Sequence, residues 1–108
     1  MNIKLSYLYR DAGNFKEYGE VIFSNPNNLS ISLVSDKFRS TLLYGLYFIA
    51  HEVNIPDLRP LDWNDELDHL WHELGDVSLT ADASNEKMNR SIDEFLVDLL
   101  NSQPTRRF

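Results

Sequence analysis

The side chains best suited to chemistry are concentrated in residues 62–74, with the sequence DWNDELDHLWHEL. This segment contains both tryptophans, two of the three histidines and five carboxylates. Imidazole and carboxylate groups together can ligate a divalent metal, whereas aromatic side chains among carboxylates can bind a basic protein surface. A third interpretation is a solvated amphipathic segment, and the sequence leaves all three open.

The histidines define the metal hypothesis. His69 and His72 are three residues apart, which on a helix places both on one face, with Glu73 one turn after His69. On a strand, the same spacing places the two histidines on opposite faces. His51 belongs to another predicted element and could approach them in space. Three imidazoles, or two with a carboxylate, suit zinc, so His51, His69, His72 and Glu73 define one alternative, a metal-dependent hydrolase.

The chain contains no complete catalytic or cofactor-binding motif. It has no cysteine, which excludes a disulfide scaffold, a thiolate zinc site and a cysteine nucleophile. It also lacks the patterns H-E-x-x-H, G-x-S-x-G, Walker A and G-x-G-x-x-G. We therefore expect a non-enzymatic protein without a cofactor, and a divalent metal is the one exception that the histidines leave open.

The net negative charge of the chain arises from residues 52–76. The net charge of the whole chain is −7, and this block holds eight acidic side chains against one basic side chain, Arg59. Such a block repels phosphate, so nucleic acid is not an expected partner, whereas a basic protein is. The leading hypothesis is an interaction module whose acidic and aromatic face contains Trp63, Asp65, Glu66, Asp68 and Trp71.

Two further segments suggest interfaces. Tyr44 and Tyr47 could lie at the edge of an interface, because tyrosine combines a large contact area with one polar end, although the aromatic-rich first half favours a core position for them. The segment LYFIA, residues 46–50, could form an edge strand that pairs with a copy of itself. A structural homodimer is therefore the third functional alternative.

The hydrophobic pattern of the first half predicts two strands and a helix. Residues 3–9 alternate in polarity, which indicates a half-buried strand, and residues 19–23 predict a second strand paired with it as a hairpin. Apolar residues then recur at spacings of three and four over residues 31–42, and Ser30 can cap the first helical turn. Because residues 29–34 also alternate, the choice between helix and strand stays open there.

The second half is predicted to add strands and a C-terminal helix. Residues 46–53 are rich in aromatic and β-branched side chains, which indicates a third strand, and residues 77–79 predict a short fourth one. Apolar spacing predicts an amphipathic helix over residues 85–101 with Ser84 as its cap. We expect one globular domain over residues 1–103 and a flexible tail over the rest, 104–108.

These elements define an α+β fold. The predicted order is β-β-α-β-(β)-α, with a small, mainly antiparallel sheet of three to four strands and two helices packed on one face. The order of strands within the sheet is not predicted. The first ten residues lack the apolar block of a signal peptide, and no run approaches the roughly 18 apolar residues of a membrane span. We therefore expect a cytoplasmic protein.

Two stretches, YLYRDAGNFKEYGEVIFSNP near the start and PDLRPLDWNDELDHLWHEL in the middle, resemble a group of short bacterial proteins. That group has an opening Y-R-D-x-x-N-[FY]-K and a later segment D-H-x-W-H-E. The resemblance implies a small cytosolic bacterial protein and brings no catalytic residue with it, because the group has no established activity. Its pattern marks as positions to test Arg10, Asp11, Asn14, His69, Trp71, His72 and Glu73.

Overall fold

The computed structural model describes residues 1–60 and 69–102, and this part of the chain forms an antiparallel sheet covered on one face by two helices. The predicted α+β class and element order are confirmed. The elements are β1 (Asn2–Arg10), β2 (Lys16–Phe23), α1 (Ile31–Thr41), β3 (Tyr47–Phe48), a single 3₁₀ turn (Ala50–Val53), β4 (His72–Thr80) and α2 (Ile92–Ser102).

Strand β1 organises the sheet, whose order is β2-β1-β4-β3 with every neighbouring pair antiparallel. The alternation in β1 is confirmed, since every second side chain is fully buried on one face of the sheet. These inward side chains are Ile3, Leu5, Tyr7 and Tyr9. They make β1 the floor of the core, and they leave its other side chains on the face of the sheet that carries no helix.

Helix α1 begins where the sequence predicted. The hydroxyl of Ser30 accepts a hydrogen bond from the backbone N–H of Leu33 at 3.1 Å, which satisfies one of the first unpaired donors of the helix. Val34 and Phe38, one turn apart, are buried in the core. The residues that also alternated like a strand are therefore helical from Ile31 onwards.

The prediction for the start of α2 was wrong by seven residues. The helix begins at Ile92, and Ser91 and Glu94 form a capping box in which each side chain accepts the backbone N–H of the other residue, at 3.2 and 3.0 Å. Met88, which matched the predicted stripe, is 54% exposed. The reciprocal cap at Ser91 defines the helix start. The apolar residues upstream of it matched a helical spacing but are not part of the helix.

The third predicted strand was also too long. Strand β3 contains only Tyr47 and Phe48, and the chain then enters the 3₁₀ turn, where Ala50 and Val53 are both buried in the core. Their spacing of three brings them to one side of such a turn. The fourth strand, predicted over three residues, instead extends over nine, from His72 to Thr80.

The core lies between the inner face of the sheet and the two helices. Phe23 and Phe95 stack at its centre, with ring centroids 4.4 Å apart, and Phe38 packs against Phe95. No helix in the described ranges is long and apolar enough to cross a lipid bilayer. Within the described ranges the helices cover one face of the sheet, and the other, called the open face below, leads to the candidate site.

Candidate functional site

The predicted acidic and aromatic face is only partly visible. Trp63, Asp65, Glu66 and Asp68 lie outside the described residues. Trp71 is described, and it lies directly before β4, two residues after His69. The site can therefore be built from the place where this segment joins the sheet.

An aromatic pocket opens beside Trp71. It has a volume of about 390 Å³ and lies at the β3 edge of the sheet. The residues that line it, called the aromatic pocket below, are Leu43, Tyr44, Tyr47, His69 and Trp71. Three large aromatic side chains thus surround one open space, next to the acidic stretch of the sequence.

Tyr44 is placed by a tight turn that its residue type does not favour. Tyr44 and Gly45 have φ values of 53° and 71°, and the N–H of Leu46 donates to the carbonyl of Leu43 at 3.1 Å. Two consecutive positive φ values are the mark of a type I′ turn, which favours asparagine or glycine at both central positions. The turn leaves the Tyr44 side chain 87% exposed at the pocket.

His69 and Trp71 are held against β1. The hydroxyl of Tyr9 donates to the carbonyl of His69 at 2.8 Å, and the two rings lie 5.2 Å apart. The Nδ1 atom of His69 accepts the backbone N–H of Trp71 at 3.0 Å. These contacts fix the backbone from which the Trp71 ring enters the pocket.

The pocket continues into a row of side chains across the open face of the sheet. Tyr47 is opposite Glu73, Glu73 is opposite Leu8, and Leu8 is opposite Tyr18. Directly opposed residues on antiparallel strands point to the same face. Glu73 is therefore the acidic side chain of this row, and Arg10 donates to it at 2.9 Å.

The two stretches that carry the resemblance meet at this ion pair. Arg10 donates to Glu73 and also to the Oδ1 atom of Asn14, at 2.6 Å. Asp11 accepts the backbone N–H of Phe15 at 2.8 Å, and Asn14 has a positive φ of 66°. Asp11 and Asn14 therefore build the β1–β2 turn, and Arg10 links that turn to β4.

His72 is fully buried beneath the other face, against the rings of Tyr7 and Phe48. Its Nε2 atom accepts the backbone N–H of Leu58 at 3.1 Å, and its Nδ1 atom is 3.1 Å from the carbonyl of Leu70. This network assigns a neutral ring with its proton on Nδ1. Burial lowers the pKa of His72 below its ordinary value, in agreement with a neutral ring.

Asp57 lies beside His72 and forms an ion pair with Arg59. One carboxylate oxygen is 3.5 Å from His72 Nε2, the other is 3.7 Å from His51 Nδ1, and Arg59 Nε donates to both at 3.0 and 2.9 Å. Burial raises the pKa of Asp57, but the hydrogen bonds from Arg59 outweigh burial and hold the pKa below its ordinary value. The carboxylate is therefore charged and paired.

The structure does not gather the residues of the metal hypothesis into one ligand set. His72 and Glu73 are consecutive in β4, so their side chains point to opposite faces of the sheet. His51 lies in the 3₁₀ turn, where a strand was predicted. Among residues 1–60 and 69–102, no three histidine, aspartate or glutamate side chains form a group that could hold a metal ion.

From the sequence, Trp71 was named as part of a binding face and His69 as a candidate metal ligand, but their place in one pocket was not predicted. Tyr44 and Tyr47 were named as interface candidates but assigned to the core, and Leu43 was not singled out. A signal was available in the dipeptide Tyr44-Gly45, since glycine is favoured at the central positions of a type I′ turn.

Comparison of the chain with protein-family models, with curated proteins and with solved structures finds no match. The function is therefore inferred from the geometry of the chain itself.

Proposed function

We propose that this protein is a non-enzymatic interaction module that binds a basic segment of a partner protein in the aromatic pocket. The observation that carries the proposal is Tyr44. Its backbone is in a conformation that costs a non-glycine residue free energy, and its side chain is 87% exposed beside a pocket. A strained and exposed aromatic residue gives no packing in return, so a role in binding explains it.

The chemistry of the pocket favours a cation. The faces of tyrosine and tryptophan rings attract ammonium and guanidinium groups, and guanidinium also stacks on aromatic rings. Tyr44, Tyr47 and Trp71 offer three such rings around one space. An arginine or lysine side chain of the partner is the occupant that these rings fit best.

The charge of the surrounding sequence supports the same partner. Residues 52–76 carry eight acidic side chains and one basic side chain, and this block includes His69 and Trp71. Such a block attracts a basic surface over about 10 Å at moderate salt and raises the rate of encounter. The acidic block would steer the partner, and the aromatic pocket would hold one of its side chains.

The positions of the ionisable groups favour binding over catalysis. Both ring nitrogens of buried His72 are hydrogen-bonded within the chain, and Asp57 and Glu73 are each paired with an arginine. A general base needs a proton of the substrate within hydrogen-bond reach, and a ring with no solvent exposure cannot offer that in this conformation.

A direct test uses the peptide Gly-Arg-Gly-Arg-Gly-NH₂ with fluorescein on its N-terminal amine in place of an acetyl group, with binding followed by fluorescence anisotropy. Tyr44→Ser and Trp71→Leu should each weaken binding about fivefold, because one cation–π contact at an exposed site contributes about 1 kcal/mol. Phe15→Ser is the matched control, since it removes an aromatic side chain that is 69% exposed outside the pocket. Equal losses in all three variants would show that the pocket is not the binding site.

A further inference from the structure

The outer edge of β2 has a covered end and an open stretch. At Ile22, both backbone groups bond to Asn85: the N–H donates to the side-chain oxygen at 2.9 Å, and the carbonyl accepts the Asn85 N–H at 3.1 Å. Asn85 therefore takes the position of a neighbouring strand. Because the backbone groups of successive residues in an antiparallel strand point alternately to its two sides, Ile22 shows which residues face outwards.

The outward residues are those with even numbers, Lys16, Tyr18 and Glu20. The odd-numbered ones face β1, and Phe15 follows the same rule, since its carbonyl accepts the Asp11 N–H at 3.0 Å. In the part of the chain that the structure describes, the outward backbone groups at the three even positions have no partner. Unpaired groups along five residues form a template for another strand.

We propose that β2 pairs antiparallel with β2 of a second copy of this chain, with the twofold axis at Tyr18. In this register Lys16 of each copy is opposite Glu20 of the other, and Tyr18 is opposite its own counterpart. The three outward positions become hydrogen-bonded pairs, which together add about six backbone hydrogen bonds. The sheet becomes continuous across both copies.

In this register alone, the charged side chains of β2 in one copy lie opposite side chains of the opposite charge in the other copy. Lys16 and Glu20 lie on the open face of the sheet together with Tyr18, because they are cross-strand partners of Arg10, Ser6 and Leu8. The pairing makes two opposite-charge cross-strand pairs and one pair of tyrosines. A shift of the register by two residues would bring Lys16 opposite Tyr18 and lose both charge pairs.

The ends of the edge limit the interface to these five residues. Asn85 covers β2 at Ile22, and the turn after Arg10 ends the strand at Lys16. Tyr18, which is 70% exposed, lies at the centre of the free stretch. The opposite edge of the sheet, β3, has only two residues, so the sequence-based expectation of pairing through residues 46–50 does not fit it.

Sedimentation velocity of the full chain over a wide concentration range tests the proposal. A reversible shift from a species of 12.6 kDa towards twice that mass is expected as the concentration rises. A chain that stays monomeric to millimolar concentration would overturn the proposal.

Charge exchange tests the register. Lys16→Glu alone places like charges opposite each other in the dimer, and so does Glu20→Lys alone, so each variant should be monomeric. An equimolar mixture of the two should form a heterodimer, since each then supplies the charge that the other lacks. A wild-type dimer that both variants retain would place the interface elsewhere and overturn the proposal.

Tyr18→Pro tests the backbone contact. Proline removes an N–H that faces outwards and leaves the bonds to β1 intact, so the variant should fold and remain monomeric. Tyr18→Thr keeps the N–H and is the matched control, with circular dichroism as the check on folding for both. Dimerisation of Tyr18→Pro with unchanged affinity would contradict pairing through β2.

Discussion

Tyr44 is a residue whose type destabilises the turn in which it lies. A type I′ turn needs positive φ at both central positions, and Gly45 meets that need without strain. Tyr44 adopts a φ of 53° with a bulky side chain that is almost entirely in solvent. The residue is costly for the fold, and in our account it is retained because it binds.

Tyr44→Asn should therefore separate stability from binding. Asparagine adopts positive φ more easily than tyrosine, so the free energy of unfolding should rise by about 1 kcal/mol. Affinity for a basic peptide should fall at the same time, because one ring of the pocket is lost. Urea denaturation and peptide titration of the same preparation measure both effects, and a variant that is less stable than the wild type would contradict the strain argument.

His72 should make the stability of the fold depend on pH. The folded state holds the ring neutral, with a pKa below the ordinary value of 6.5, because burial penalises the charged form. The unfolded chain takes up a proton near pH 6.5 and the folded chain does not. The contribution of neutral His72 to the free energy of unfolding is therefore fully present above about pH 6.5 and decreases as the pH falls from there towards the lowered pKa of the folded state.

Urea denaturation at about pH 7.5 and about pH 5.5 measures this loss. The interval lies well above the ordinary pKa of Asp57, 3.8, so that carboxylate does not contribute to the change. His72→Gln should flatten the dependence, and His51→Gln, which replaces a histidine with a half-exposed side chain, is the matched control. A wild-type protein that is equally stable at both pH values would show that His72 is not held neutral by the fold.

At the scale of elements, the segment before α2 is fixed by a buried ion pair. Arg90 donates to Glu86 at 2.6 and 3.1 Å and to Asp98 at 3.0 Å, and its guanidinium lies 5.1 Å from the ring centre of Phe95. The side chains of Arg90 and Glu86 are only 5% and 1% exposed. Either charge, if buried without its partner, would lose its solvation. The two side chains therefore stay paired, and the pair holds the segment before α2 in place.

Arg90→Ala should destabilise the protein by about 3 kcal/mol, because it leaves Glu86 buried without its partner. Lys4→Ala is the matched control: it breaks the exposed Lys4–Glu20 pair, whose atoms are 3.8 Å apart, and should cost at most about 1 kcal/mol. Chemical denaturation of both variants gives the comparison. Equal losses would mean that the burial of the Arg90 pair does not matter to the fold.

The elements also show which parts of the fold are predictable from the sequence. The alternation of β1 and the cap of α1 are local signals, and both were predicted. The length of β4 was not, because it depends on pairing with β1 across more than sixty residues of chain and includes a bulge at Gly75, where a Cβ atom would lie 2.9 Å from the Ser6 carbonyl oxygen. Non-local pairing of this kind leaves little trace in local composition.

The candidate site was also predicted only in part, from its local features. Trp71 was named because its neighbours in the sequence are acidic, which is a local property. Its place in one pocket with Tyr44 and Tyr47 depends on β3 lying beside β4, and the strand order was not predicted. The sequence left His72 open between a metal ligand and a solvated side chain, whereas β4 turns its side chain into the core, since a strand sends alternate residues to opposite faces.

At the scale of the whole molecule, the two proposed interaction surfaces lie at opposite edges of the sheet. The aromatic pocket includes Tyr47 of β3, and the proposed self-pairing uses β2 at the other edge. A dimer formed through β2 would therefore carry one pocket towards each end of a continuous sheet. Two pockets in one particle would bind a repeated basic segment more tightly than one pocket does.

The acidic block predicts a strong effect of salt on binding. Asp65→Lys with Glu66→Lys should weaken the binding of a basic peptide far more at about 20 mM salt than at about 500 mM, because salt screens exposed charges. Asp36→Lys with Asp82→Lys changes the net charge equally outside the block and is the control. If the two double variants behave alike, only the net charge matters and the block has no special role.

The most direct test of the central claim is a two-dimensional NMR titration of the ¹⁵N-labelled chain with the unlabelled peptide Ac-Gly-Arg-Gly-Arg-Gly-NH₂. We predict shifts concentrated at Tyr44, Tyr47 and the indole N–H of Trp71, and none of that size with the matched peptide Ac-Gly-Glu-Gly-Glu-Gly-NH₂. Shifts that avoid these residues, or that are the same for the two peptides, would contradict the proposal that the aromatic pocket binds a basic partner.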